Sequence, residues 1–297
     1  MATPLFRLTA LAVVFCAAGS TQPPTLRVDV NLVMVPVTVT DRSGRIITGL
    51  DRSRFKILDE GVPQPIASFS IEDLPVSIGL VLDVSGSMRQ KLATARSFVR
   101  ALLAGAESSD EALFLTCADR PDLQLDLTPD IDRVERILQS TRSQGRTALI
   151  DSVYLTIERM RPARNSRKVL VIVSDGQDNY SRHTKSELIS KAIESEAQIY
   201  SIATPDAPGF RKAIELVDAN RGLALLSDLA QATGGISLPV DATSSISGVA
   251  QRIVRTLHEQ YLIGYYPVGT LSRASRRIQI KVDIPDLHLY SRNRYYP

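Results

Sequence analysis

From Val76 onward the chain alternates between short unbroken apolar runs and longer stretches in which apolar residues recur every three or four positions. The unbroken runs predict strands at residues 77–82, 112–117, 123–127, 169–174, 198–203 and 236–240. The periodic stretches predict helices at about residues 90–103, 131–139, 148–160, 185–196, 223–232 and 246–259. A strand that is apolar on both sides must be covered on both sides. The pattern therefore predicts an α/β fold: a doubly wound, mostly parallel sheet with helices on both faces.

The flanks follow a period of two. Residues 28–40 alternate, Asp41-Arg42-Ser43-Gly44 supplies turn residues, and a second run reaches Leu50, which predicts a hairpin. Phe55-Lys56-Ile57-Leu58 before Asp59-Glu60-Gly61 predicts a strand and turn, and residues 66–71 a further strand. Strands return at 261–266, 278–282 and 288–290. About fifty residues bury too little surface to be robust alone. The two ends are therefore expected to pair as one smaller β-rich module, a β-sandwich built from residues 26–74 and 261–297 around an α/β domain at 75–260, the alternative being two unrelated decorations on that domain.

Residues 1–20 have the layout of a secretory signal peptide. Arg7 precedes an apolar stretch at 8–15, and the small residues Ala17, Ala18, Gly19 and Ser20 follow. The stretch is short for a bilayer span; an uncleaved anchor and a lipoprotein stand as alternatives, although Phe15 before Cys16 fits a lipidation box poorly. An exported protein, periplasmic or secreted, is expected, with no membrane span after signal cleavage. Cleavage near Ala18 to Ser20 leaves Cys117 alone in a buried strand, so no intrachain disulfide is expected.

Composition changes this little. The 297 residues, 44% hydrophobic and 23% charged, suit one large or two modest folded domains. A net charge of +3 is too small to argue for nucleic acid. The C-terminal basic residues Arg273, Arg276, Arg277, Lys281, Arg292 and Arg294 are spaced like the wet face of strands, with no basic stripe carrying interleaved aromatics. No nucleic-acid partner is expected.

The chemistry concentrates in Asp83-Val84-Ser85-Gly86-Ser87-Met88, where the first apolar strand ends. Side chains two apart project to the same side, so one carboxylate and two hydroxyls can converge. Oxygen-only ligands suit Mg²⁺, Mn²⁺ or Ca²⁺ and offer little to zinc or copper. The same residue types also make an ordinary helix N-cap. Downstream, Thr147 offers a hydroxyl at the start of a helix, and Asp175 a carboxylate where a second buried strand ends. All three loops fall beyond the carboxyl ends of strands, where open α/β sheets bind ligands.

At these positions the chain resembles the von Willebrand factor type A fold, whose metal-ion-dependent adhesion site reads DxSxS, then Thr, then Asp. Asp83, Ser85 and Ser87 match the first element, Thr147 the second and Asp175 the third. The resemblance implies that Ser85, Ser87 and Thr147 contact the metal directly, while Asp83 and Asp175 act at least partly through water. It implies Mg²⁺ or Mn²⁺ ahead of Ca²⁺, and a protein partner presenting an Asp or Glu carboxylate to an open coordination position. The flanks are similar to bacterial secreted VWFA-related proteins of the acidobacterial type. They share the run at 28–41, Gly49-Leu50 with Phe55, Asp59-Glu60-Gly61, the run at 260–267 and the closing Tyr295-Tyr296-Pro297, with Arg294 departing from the Gly usual there. The implied function is a metal-ion-dependent protein-binding or adhesion module of the cell envelope or extracellular space, not an enzyme.

Other chemistries fit less well. Phosphate-transferring enzymes of the haloacid dehalogenase type need a second Asp where this chain has Ser85, and residues 84–88 do not form a GxSxG elbow. His183 is the one candidate base for Ser85 or Ser87. His258 and His288 have no Cys or His nearby for zinc, and no GxGxxG follows the first strand. A hydrolase using the same loops and a structural envelope module with a vestigial metal site stand as alternatives. Asp151 suits the positive end of a helix. Asp178 is either a loop residue or a water-mediated neighbour of the metal, and Arg146 either a guide for an acidic ligand or a solvated arginine.

Overall fold

A computed structural model describes residues 32–71, 73–204, 213–240, 245–268 and 274–297, with backbone alone over 213–219. The expected signal peptide at 1–20, the first residues of the strand expected from Val28, and Arg273 lie outside them. The chain opens with β1 (Val33–Thr40), β2 (Phe55–Asp59), β3 (Val62–Gln64) and β4 (Ile66–Ile71). The second arm of the expected hairpin does not form. Asp41 accepts N–H bonds from Ser43 and Arg45 and closes the turn, but the return pairs only briefly, with Ile46 bridging to Thr40 and Ile47 N–H donating to Val39 O. The edges of β1 are taken instead by strands from the far end of the chain.

The α/β part follows as β5 (Val76–Asp83), α1 (Leu92–Leu103), β6 (Glu111–Cys117), β7 (Pro121–Thr128), α2 (Asp132–Ser140) and α3 (Leu149–Arg159). It continues through β8 (Arg167–Ser174), α4 (Lys185–Ser195), β9 (Gln198–Ala203), α5 (Ala213–Thr233), β10 (Ser237–Pro239) and α6 (Ile246–His258). The sheet order is β10-β9-β8-β5-β6-β7, with only β7 antiparallel to its neighbour. β5 lies near the middle and is buried along its whole length. Leu80 and Leu82 pack one way with Phe98 of α1 and Ile253 of α6, while Val81 packs the other way with Val153 of α3 and Leu226 of α5. This is the doubly wound arrangement with both faces covered. Cys117 is buried in β6, and burial pushes its thiol far up, so it stays protonated.

α5 begins ten positions before the expected Leu223 and runs through Gly222. Glycine costs a helix about 1 kcal/mol relative to alanine. Here it permits a close backbone contact described below.

The last strands are β11 (Tyr261–Tyr265), β12 (Arg276–Val282), β13 (His288–Tyr290) and β14 (Arg294–Tyr295). They join the first four in two antiparallel four-stranded sheets, β13-β1-β11-β4 and β14-β12-β2-β3. Both sheets feed one apolar core, with Val35, Val37 and Ile263 from the first against Phe55, Ile57 and Ile280 from the second. Inside it, the fully buried Asp59 accepts hydrogen bonds from Tyr295 Oη (2.9 Å), Tyr265 Oη (3.3 Å) and Arg276 Nε (3.0 Å). β4 leads into β5 and α6 leads into β11, and Ile71 faces Tyr261 across the β4–β11 ladder.

Candidate metal site

The site grows out of the ends of β5 and β8, which are hydrogen-bonded neighbours. At the end of β5 the Asp83 carboxylate is wholly buried. Its Oδ1 accepts the Ser85 N–H at 2.9 Å, and its Oδ2 accepts the hydroxyl of Ser174, the last residue of β8, at 2.6 Å. The first bond bends the chain into a short 3₁₀ turn at Gly86–Met88. That turn brings Ser85 Oγ and Ser87 Oγ to 3.1 Å, the convergence that the alternating spacing predicts.

The Thr147 loop is tied to the Asp83–Met88 loop by hydrogen bonds between the two loops. Gln144 N–H donates to Val84 O (2.7 Å), Gly86 N–H donates to Gly145 O (2.9 Å), and the Ser143 hydroxyl donates to the Ser85 carbonyl. On its other side, Thr147 N–H donates to Asn179 Oδ1 (3.0 Å), and the N–H groups of Asn179 and Tyr180 donate to Thr147 O. Its backbone is thus fixed from both directions.

Asp175 follows β8 directly and is nearly buried. Its Oδ1 accepts the Gln177 N–H (3.2 Å), and its Oδ2 accepts from the Lys91 ammonium (3.0 Å). Gly176, with φ +80°, turns the chain against Gly222 of α5 so tightly that a Cβ at 176 would lie 2.3 Å from the Gly222 carbonyl oxygen. Asp83, Ser85, Ser87, Thr147 and Asp175 therefore sit on three loops knitted together at the carboxyl end of the sheet.

The donor chemistry fits a hard divalent cation. The five side chains offer two carboxylates and three hydroxyls, with no nitrogen or sulfur ligand among them. A positive charge is already favoured there, since the Lys91 ammonium sits on Asp175. Burial, and then the negative charge of Asp175, push Asp83 up to about 6, against which the bonds from Ser174 and Ser85 work.

This shift gives a pH prediction. The folded value of Asp83 lies above the unfolded one, so ionising it opposes folding. The associated stability is fully present below about pH 4 and is lost as pH rises through about 6, an amount of roughly 3 kcal/mol. In EDTA, Asp83→Asn should match the wild type near pH 4 and exceed it by about 2–3 kcal/mol at pH 7.5. Urea unfolding at the two pH values measures this. A gap of the same size at both would show that Asp83 ionises normally.

The neighbouring candidates have other duties. Asp151 lies in the first turn of α3; burial would raise its pKa, but the N–H groups of His183 and Arg182 and the His183 ring hold it below the ordinary carboxylate range. His183 Nδ1 is 2.7 Å from Asp151 Oδ1 and its ring stacks on Tyr154, and among the described residues it makes no hydrogen bond to Ser85 or Ser87. Asp178 accepts from Ile150 N–H and the Ser181 hydroxyl, bracing the start of α3. The Arg146 guanidinium lies 5.0 Å over the Tyr180 ring. His258 does have acidic neighbours. With Asp73 and Glu107 it forms a group whose ligand atoms lie within 4.8 Å of one another, at the opposite end of the sheet, where β5 and β6 begin.

Sequence reasoning missed Lys91, Ser174 and Asn179. Lys91 left one signal: a lysine at the positive end of a helix is electrostatically unfavourable unless a carboxylate is close.

A sequence profile described as the von Willebrand factor type A domain matches residues 78–177, from β5 through the Asp175 loop. Among solved structures, a von Willebrand factor type A protein from Catenulispora acidiphila is similar with a TM-score of 0.52 at 11% identity, covering 91% of this chain and 75% of that one. An aerotolerance-related membrane protein from Bacteroides fragilis gives 0.48 at 21% identity, covering 61% and 98%. The von Willebrand factor domain of the type V pili tip protein Mfa5 from Porphyromonas gingivalis gives 0.47 at 14% identity, covering 67% and 99%. No curated protein matches. The α/β part has the von Willebrand factor A-type fold, and the chain adds antiparallel sheets to it. No described helix is long and apolar enough to cross a membrane.

Proposed function

We propose that this protein is a metal-ion-dependent protein-binding module of the adhesion type, which holds Mg²⁺ or Mn²⁺ through Asp83, Ser85, Ser87, Thr147 and Asp175 and captures an Asp or Glu carboxylate of a partner. The observation that carries this reading is the convergence of the three loops, with three neutral hydroxyls alongside two carboxylates. Neutral hydroxyl ligands leave a bound cation most of its charge, and such a cation favours an anion from outside. The position at the carboxyl end of a parallel sheet suits ligand binding. Catalysis by the same loops is less well supported: among the described residues the His183 ring bonds Asp151 and stacks on Tyr154, with no hydrogen bond to Ser85 or Ser87. The signal-like pattern at 1–20, and the similarity of the flanks to bacterial secreted VWFA-related proteins, support an exported protein acting in the periplasm or outside the cell. The β-rich stretches at 26–74 and 261–297 then serve as a base for the α/β domain at 75–260.

Calorimetric titration of the chain lacking residues 1–20 should show one weak site for Mg²⁺ or Mn²⁺, because few carboxylates contribute and Mg²⁺ sheds water reluctantly. Ser87→Ala should weaken that site about tenfold while shifting stability in EDTA by no more than about 0.5 kcal/mol, as for an ordinary loop substitution. Capture of a partner from envelope extract should require Mg²⁺ and be competed by excess acetate. Absence of heat with either ion, together with tight Zn²⁺ binding, would overturn the metal reading. Equal capture in EDTA would show that the metal face is not the binding surface, as expected of a structural module with a vestigial site.

A further inference from the structure

Lys91 stands directly before α1, where a positive charge opposes the helix dipole. Its backbone is nevertheless pinned there: its N–H donates to Met88 O and its carbonyl accepts from Ala95 N–H, both at 2.9 Å. The ammonium of its four-carbon side chain rests on Asp175 Oδ2 at 3.0 Å. Both partners are largely shielded, Lys91 at 11% and Asp175 at 4% side-chain exposure. In such a setting an unpaired carboxylate is costly, so a tethered cation beside Asp175 stabilises the loop. A divalent ion drawing on the same carboxylate would be repelled by that ammonium at close range.

We propose that Lys91 is a built-in competitor for the cation site: its ammonium holds Asp175 while no divalent ion is present, and it must give up Asp175 Oδ2 for an ion to be held at full strength. This rests on the metal-binding reading above and adds to it a residue that sets ion affinity without being a ligand. Lys91 keeps the Asp175 loop in shape at low ion concentration and raises the concentration at which the site fills. A lysine suits the role because its ammonium is a compact charge on a flexible stem that can swing into water.

The test compares Mg²⁺ titration of wild type, Lys91→Met and Lys91→Arg, with thermal melts in EDTA and in Mg²⁺. Lys91→Met should bind Mg²⁺ about tenfold more tightly than wild type, while Lys91→Arg, which keeps the charge, should not gain affinity. Lys91→Met should also melt lower in EDTA and recover more on adding Mg²⁺. Amine-reactive labelling of the wild type, read by mass spectrometry, decides the matter even if the variants fold poorly: Mg²⁺ should raise labelling at Lys91 several-fold. Unchanged or weaker Mg²⁺ binding by Lys91→Met, or protection of the amine by Mg²⁺, would overturn the role of Lys91 and leave the metal site standing. Mg²⁺ binding by neither wild type nor Lys91→Met would overturn both.

Discussion

Asp59→Ala is expected to cost about 3–5 kcal/mol of stability, the range seen when one partner of a buried ion pair is removed. Asp59 is the last residue of β2, and its side chain is fully enclosed. It gathers the hydroxyls of Tyr265 and Tyr295 and the guanidinium of Arg276, which belong to β11, β14 and β12. Without it, two buried hydroxyls and a nearly buried cation lose their shared acceptor. Asp59→Asn should fall between wild type and alanine, since an amide oxygen still accepts but carries no charge. Urea unfolding measures the difference. A loss under about 1 kcal/mol for Asp59→Ala would show that the cluster is held by packing alone.

Gly222→Val should abolish ion binding although residue 222 offers no ligand atom. Gly222 lies in α5 where the helix closes on the Asp175 loop. A Cβ there would meet Gly176 C at 2.6 Å, Gly176 O at 2.8 Å and Asp175 O at 2.9 Å. All three are backbone atoms that cannot rotate away, so the helix or the loop must shift. Overpacking of this kind costs about 1–3 kcal/mol, and the shift would carry Asp175 out of place. Gly222→Ala should show a milder form of both effects. Undiminished Mg²⁺ titration of a folded Gly222→Val protein would mean that the Asp175 loop tolerates displacement.

The parts of the fold legible in the sequence are those whose signal is local. β5, β6 and β8 are buried on both faces, so their apolar runs are unbroken, and helices such as α3 and α6 repeat apolar residues at the helical period. The expected second arm of the first hairpin failed because distant strands outcompeted a local turn for the edges of β1. Strands as short as β3 and β14 have no period to detect. α5 extends well before the expected Leu223, through a Gly222 that favours a helix end but here sits against Gly176. The site divides the same way. Asp83, Ser85 and Ser87 stand at fixed short spacing, and Thr147 and Asp175 at element ends. Lys91 meets Asp175 across 84 positions, a pairing that no local pattern carries.

The adjacency of Ile71 and Tyr261 has a consequence in time. β1, β2 and β4 leave the ribosome well before β11 and β12 exist, and at ordinary synthesis rates the wait is on the order of ten seconds or more. During it the whole α/β domain can be completed, because each of its strands finds its sheet neighbours between Val76 and Pro239. Of the early strands β2 can pair at once with β3, but β1 and β4 find their ladders only in strands after Glu259, and until then their edges remain exposed. Their sheets close only when β11 to β14 arrive, and Asp59 gains Tyr295 from β14, the last of these strands. A chain truncated before Arg276 would keep its central sheet while leaving Asp59 with neither Arg276 nor Tyr295.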